Sequence, residues 1–272
     1  VYKRQVVAAT TNTIKIVTDN ANVTDDTGSL TVNASALTNA SAALTFVSNE
    51  NSTATISVIG GAGNDSMTAG TEKSNFSGGA GNDTFVFTSA QLTSADTVAG
   101  GSGNTDTISI SDASTVVDAD FTNVTGVEIL TEGTTNAAQT ITLGALANSS
   151  GLTTITGNGS GVDTITVGSG FTNALTINVA TGNDNIDASA SAAAITIAAA
   201  AASITSSDTL KGGTGTGDVI SLTAGSDTAT FGSNVTGFET VTVVAATTHT
   251  IKIVTNDGNI SSGSILTVDG TA

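Results

Sequence analysis

The chain has 272 residues, with 31 Gly, 3% aromatic residues and no Cys, Pro or Trp. Its formal charge of −17, from 23 acidic against 6 basic side chains, disfavours nucleic acid and anionic membranes as partners, since both are held by Lys and Arg clusters. There is no disulfide framework and no thiolate metal site, and no apolar run reaches the roughly 18 residues that would suggest a membrane span. A hydrophobic fraction of 38% with many Val, Ile and Thr argues against disorder. So few large side chains suit a thin core in which backbones approach closely. Acidic charge this uncompensated repels itself unless salt or bound cations offset it.

The first five residues, VYKRQ, hold two of the six basic residues and the single Tyr. They match one reading frame of a transposon sequencing adapter (GTG TAT AAG AGA CAG) and are read as a library artefact outside the fold. Without them the charge is −19, from 23 acidic residues against four Lys. Residues 6–18, VVAATTNTIKIVT, return as VVAATTHTIKIVT at 243–255, twelve of thirteen positions identical at an offset of 237. GSLTVNA (28–34) is echoed by SILTVDG (264–270), so the chain is expected to be a fragment that starts inside one repeat and stops inside another. DTVAGGSGNTDTISI (96–110) resembles DTLKGGTGTGDVISL (208–222), followed by FTNVTGVEIL (121–130) and FGSNVTGFETV (231–241) respectively.

Along the chain TIKIV, SLTVNA, ALTFV, TISVI, DTFVF, DTISI, QTITL, DTITV, ALTINV and ETVTVV alternate apolar residues with Thr, Ser or Asn. That period of two, rich in β-branched residues and bounded by Gly, Asn and Asp, predicts short strands. Short strands between Gly-rich turns fit a sandwich, a barrel or a solenoid, and the repeats favour the solenoid. Residues 188–204, ASASAAAITIAAAAASI, admit a short helix on Ala propensity. The alternation of Ile195 with Ile197 favours strand there. The expected organisation is a β module over 6–95, a GGxGxxD module over 96–131, degenerate Thr/Ala-rich repeats over 132–206, a second GGxGxxD module over 207–243, and over 244–272 the start of another copy of the first module.

GGAGND occurs twice, at 60–65 and 78–83. Gly reaches backbone angles closed to other residues and exposes carbonyls. A GGxGxD turn therefore points several C=O groups and one carboxylate into one small space. Oxygen-only ligation of about 6–8 donors is what Ca²⁺ takes, whereas softer metals prefer the His and Cys that these turns lack. GGAGNDSMT (60–68) and GGAGNDTFV (78–86) resemble the nonapeptide GGxGxDxUx of RTX (repeats-in-toxin, or hemolysin-type calcium-binding) proteins, a calcium-binding β-helix repeat.

The resemblance implies an all-β, right-handed parallel β-roll or β-solenoid, elongated and with degenerate repeats, in which two nonapeptides make one coil and calcium sits between turns of adjacent coils. The turns at 60–65 and 78–83 then stack on one edge. Asp65 and Asp83 would share a Ca²⁺, with carbonyls of Gly60, Gly61, Gly63, Gly78, Gly79 and Gly81 available. The intervening nonapeptide AGTEKSNFS (69–77) has Ser74 where the Asp belongs, so the opposite edge is expected to be empty or weak. Asp106 and Asp218 follow GGSGNT and GGTGTG with one extra residue, Asp163 lacks the first Gly, and Asp184 keeps only GND. These four are weaker ligand candidates, and a plain Gly-Asn-Asp turn accounts better for Asp184.

The resemblance further implies a calcium-binding structural segment of a large secreted bacterial surface-layer or adhesin-like protein, exported by a type I system and folding on Ca²⁺ outside the cell. Its partners would be calcium ions and either neighbouring copies in a surface array or cell-surface polysaccharide, with no nucleic acid and no membrane insertion. A second reading makes the segment the appendage of a secreted protease, lipase or epimerase. A third is an adhesin that binds a ligand itself, which needs an exposed aromatic or charged patch that the sequence does not display. A fourth is an ice-binding solenoid built on Thr140–Thr142, Thr164–Thr166 and Thr240–Thr242, which requires a Thr-x-Thr at every coil.

Enzyme chemistry is not expected. The single His, His249, has Asn12 as its counterpart in the other copy. No G-x-S-x-G elbow precedes a helix. The carboxylate pairs Asp25–Asp26 and Asp118/Asp120 lie in turn-like stretches, without the aromatics of a sugar cleft.

Overall fold

The computed structural model describes residues 2–5, 13–19, 28–51, 53–103, 105–113, 115–132, 138–157, 159–223, 227–244, 250–260 and 265–270. Asn12, Asp25, Asp26 and His249 lie outside them. The alternation becomes short parallel strands with one face buried, as in Ser29–Asn33, Thr55–Ile59 and Thr84–Phe87. The fold is a right-handed parallel β-solenoid of the β-roll type. Every strand pairing is parallel among the described residues, which in a single chain requires each strand to return by a crossover. Coiling supplies that crossover at each turn.

Two compact units divide the chain: residues 1–112, 119–131 and 149–152 form one, and 113–118, 132–148 and 153–272 the other. In the first, one sheet runs Tyr2–Gln5, Ser29–Asn33, Thr55–Ile59, Lys73–Ala80, Thr97–Ser102, Val124–Thr125. Its opposing sheet runs Ile14–Val17, Leu44–Val47, Ser66–Thr68, Thr84–Phe87, Thr107–Ile110, Ile129–Glu132. The chain alternates between the two, so successive turns fall on alternate edges. Tyr2–Gln5 pairs with Leu30 to Asn33 through the backbone.

Between these sheets Phe76 packs against Phe46 at 6.2 Å, edge to face, and against Phe85 and Phe87 at 6.5 and 5.8 Å. Four of the eight Phe residues of the chain are gathered in this one stretch of core. In the second unit the core is thin and aliphatic. Ile141, Ile165, Ile186 and Leu210 stack in register along one sheet, and Ile177, Ile197, Ile220 and Val241 along the other. The Ala-rich segment 188–204 gives strand Ile195–Ala200 and a 3-10 turn at Ala201–Ser203. The small side chains let that coil close, and helix propensity loses to the buried Ile pair. Among the described residues the one α-helix is Ala145–Ser150, and no helix is long and apolar enough to cross a membrane.

Coil length varies. Ile59 pairs with Ser77 and Ser66 with Thr84, so two nonapeptides complete one coil and the GGAGND turns stand one coil apart. Elsewhere the step between paired strands is longer, as from Leu175 to Ile195, and it is longer still from Ile14 to Leu44. The Thr ladder is shallow: Thr140 and Thr142 pair with Thr164 and Thr166, which pair next with Asn185 and Asp187. A Thr-x-Thr at every coil, the condition for the ice-binding reading, is not met.

Candidate functional site

The glycine turns stack into columns. The ideal Cβ position on Gly60 lies 2.0 Å from the carbonyl oxygen of Gly78, that on Gly78 lies 2.5 Å from Gly100 O, and that on Gly100 lies 1.8 Å from Gly126 O. A second column runs through Gly61, Gly79 and Gly101, and a third through Gly63, Gly81 and Gly103, each with the neighbouring coil's carbonyl 1.9–2.7 Å from the Cβ position. Any side chain would collide with backbone oxygen. Gly79 and Gly101 also take φ of +110° and +117°, a region that side chains rarely enter. Close stacking of coils is therefore a sufficient reason for the GGxG pattern.

The acidic residues after those glycines form a ladder. Asp65 Oδ1 accepts from Leu44 N at 2.6 Å, Asp83 Oδ1 from Asp65 N at 2.7 Å, Asp106 Oδ1 from Asp83 N at 2.7 Å, and Glu128 Oε2 from Asp106 N at 2.9 Å. Each carboxylate thus caps a backbone N–H on the previous coil that the turn leaves without a strand partner. The three Asp side chains are buried, at 0–2% exposure. The extra residue before Asp106 does not displace it. Gly101 pairs with Gly79 and Thr107 with Thr84, so the insertion is absorbed between Gly101 and Asp106.

The second oxygens differ. Asp65 Oδ2 accepts from Gly61 N at 2.6 Å. Asp83 Oδ2 and Asp106 Oδ2 are buried without a partner. Each faces a glycine notch: Asp83 Oδ2 lies 2.0 Å from the Cβ position of Gly78, and Asp106 Oδ2 lies 2.6 Å from that of Gly100. The oxygens left open therefore sit at Asp83 and Asp106, one coil beyond the Asp65–Asp83 pair that the sequence singles out.

Burial dominates the electrostatics. It pushes Asp83 up to about 7, opposed by the hydrogen bond from Asp65 N and assisted by the Asp65 and Asp106 charges. Burial likewise raises Asp65, against its bonds from Leu44 and Gly61. It raises Asp106 too, against the bond from Asp83 and with help from Glu128.

The second unit repeats the device. Asp163 Oδ1 accepts from Gln139 N, Asp184 Oδ1 from Asp163 N and Asp208 Oδ1 from Asp184 N, at 2.8–2.9 Å. On its other ladder Asp218 accepts from Ile195 N and Gly213 N, both at 2.8 Å, and Glu239 accepts from Asp218 N at 2.9 Å. Asp184 is raised to about 6, by burial first and then by the Asp163 and Asp208 charges, against the bond from Asp163 N. Asp218 is also raised by burial, against its two backbone bonds and with Glu239 adding to the rise. Asp184 is thus more than a plain turn residue. Where a carboxylate does meet a base, as Asp187 meets Lys211 Nζ at 2.7 Å, it is lowered instead, chiefly by that bond.

Sequence reasoning missed Asp96, Asp208, Glu128 and Glu239. Asp96 caps Ser74 N at 2.7 Å on the opposite edge, so a buried acid stands there although Ser74 fills the motif's Asp position. The signal was present: Asp96 and Asp208, like Asp83, Asp106 and Asp163, directly precede Thr and an apolar residue. Glu128 and Glu239 occupy the same place in the repeated phrase NVTGxE, after Gly126 and Gly237 at φ +60° and +78°. The carbonyl of Gly237 stands 2.0 Å from the Cβ position of Gly212, and that of Gly126 stands 1.8 Å from that of Gly100. Asp118, paired with Asp120 in the sequence, caps the short helix through Gly144 N and Ala147 N.

Oxygen is the donor throughout the ladders, and the described residues hold no group of three or more His, Cys, Asp or Glu that could by themselves hold a metal ion. A cation here would draw on glycine carbonyls beside the carboxylates. Comparison with family models, with curated proteins and with solved structures returned no match.

Proposed function

We propose that this chain is a calcium-stabilised structural repeat segment of a secreted bacterial surface protein, of the surface-layer or adhesin type. The observation that carries the reading is the pair of buried, unpartnered oxygens, Asp83 Oδ2 and Asp106 Oδ2, facing notches that glycine alone leaves open. A buried carboxylate without a partner is costly unless a proton or a cation neutralises it. The charge balance of −17 leaves few basic side chains to do so. Asp83 and Asp106 would hold the ion together with carbonyls of Gly78, Gly100 and Gly126. Bound calcium would supply charge neutralisation of the ladder and no catalytic chemistry. Calcium that binds only the folded coil stabilises it by mass action, and extracellular modules bind at about 10⁻⁴–10⁻³ M. The segment would then stay unfolded through export and fold outside the cell.

The test is a calcium titration followed by circular dichroism, with the Asp65→Ala/Asp83→Ala variant as control. Strand signal that rises with calcium in the parent chain and not in the variant is expected. Strand signal indifferent to both calcium and the substitutions would overturn the reading.

A further inference from the structure

The turns on the edge opposite the Asp65–Asp83–Asp106 ladder bury two further acids that no motif announces. Glu50 and Glu72 are 2% and 4% exposed. They lie in the turns that follow Leu44–Val47 and Ser66–Thr68, on adjacent coils, and Thr71 N donates to Glu50 O at 3.2 Å across them. Glu72 Oε1 accepts from Gly70 N at 3.1 Å, and Ser48 Oγ accepts from Glu50 N at 3.3 Å. Both carboxylate oxygens of Glu50 and Oε2 of Glu72 are buried and have no partner.

A notch lies between them at Gly70. A Cβ there would stand 2.3 Å from Glu72 Oε2, 2.6 Å from the backbone oxygen of Glu50 and 3.0 Å from Ser48 Oγ. Three residues thus aim oxygen at one point that glycine keeps open. The nearest basic side chain in sequence, Lys73, is exposed.

We propose that Glu50 and Glu72, with Glu50 O and Ser48 Oγ, hold a hard divalent cation of the calcium kind at the Gly70 notch. Two buried carboxylates with three unpartnered oxygens between them need neutralising from outside the chain. Two carboxylates, a carbonyl and a hydroxyl are the donors calcium accepts, with water completing its shell of about 6–8 oxygens. The site stands apart from the GGxGxD turns and does not rest on the ladder reading. It makes the edge that Ser74 marks as deficient a second place of metal attachment.

Native mass spectrometry of the folded chain in calcium counts bound ions directly. The Glu50→Gln/Glu72→Gln variant, near-isosteric and free of the two charges, is expected to carry one calcium fewer than the parent. Asp83→Asn/Asp106→Asn should leave that ion in place and bears separately on the ladder. Should the double Gln variant not fold by circular dichroism, Glu72→Gln alone decides, read as weakened binding of one ion in equilibrium dialysis with calcium as the sole probe. A calcium count and affinity untouched by these Gln substitutions overturns the proposal.

Discussion

Asp83→Asn separates the two roles of a ladder carboxylate. The Asn side chain keeps an oxygen for Asp65 N, which donates to Asp83 Oδ1 at 2.7 Å. It replaces the unpartnered Oδ2 with an NH₂ beside the Gly100 carbonyl, which lies 2.5 Å from the same Gly78 notch. What is lost is the buried charge. Burial raises Asp83 from 3.8 to about 7, which at about 1.36 kcal/mol per tenfold change in proton affinity is about 4 kcal/mol. Because the folded-state value is raised, the folded chain holds the proton more tightly than the unfolded one. The penalty is absent below about pH 4, grows as pH rises towards about 7, and is constant above it.

In EDTA, Asp83→Asn is therefore expected to match the parent at pH 4 and to exceed it at pH 8 by up to about 4 kcal/mol, roughly 10 °C in melting temperature for a unit of this size. Urea unfolding and thermal melts at both pH values measure it. In calcium the order should reverse, since the variant lacks a charged donor. An Asn variant less stable than the parent in EDTA at pH 8 would refute this reasoning, because it would mean that the charge itself stabilises the metal-free coil.

Other substitutions test the packing. Gly100→Ala places a Cβ 1.8 Å from the Gly126 carbonyl, and is expected to cost about 3 kcal/mol or more because backbone must move, read as a lower urea midpoint. Phe76→Ala removes the ring that touches Phe46, Phe85 and Phe87 and should cost about 3–5 kcal/mol, seen in the same assay. Asp184, raised to about 6, makes Asp184→Asn in EDTA indistinguishable from the parent near pH 4. Above pH 6 that variant should be about 3 kcal/mol more stable, as thermal melts across that range would show.

Much of the fold was legible because both of its rules are local. Alternation of Thr with Ile or Val fixes strands, and the GGAGND echo marks one coil, as the pairing of Ser66 with Thr84 bears out. Coil length beyond the doublet was not legible, since loops between in-register strands tolerate insertions. The pairing of Ile14 with Leu44, across the longest of these steps, leaves no periodic trace. The ladder was half visible. Asp65 and Asp83 stand in a recognisable turn, whereas Asp96 and Glu128 reach equivalent caps from turns of other lengths. Glu50 and Glu72 could not be seen at all, because their nearness at Gly70 arises from the stacking of two coils.

Whether calcium neutralises buried carboxylates in a stacked β coil is tested most directly by calorimetric melts of the parent chain. These are run at pH 7.5 and pH 5, each in EDTA and in calcium of about 10⁻³ M. A clear rise in melting temperature with calcium is expected at pH 7.5, and a much smaller one at pH 5, where protons already neutralise groups such as Asp83. Melting temperatures unmoved by calcium at both pH values would contradict calcium neutralisation of the ladder.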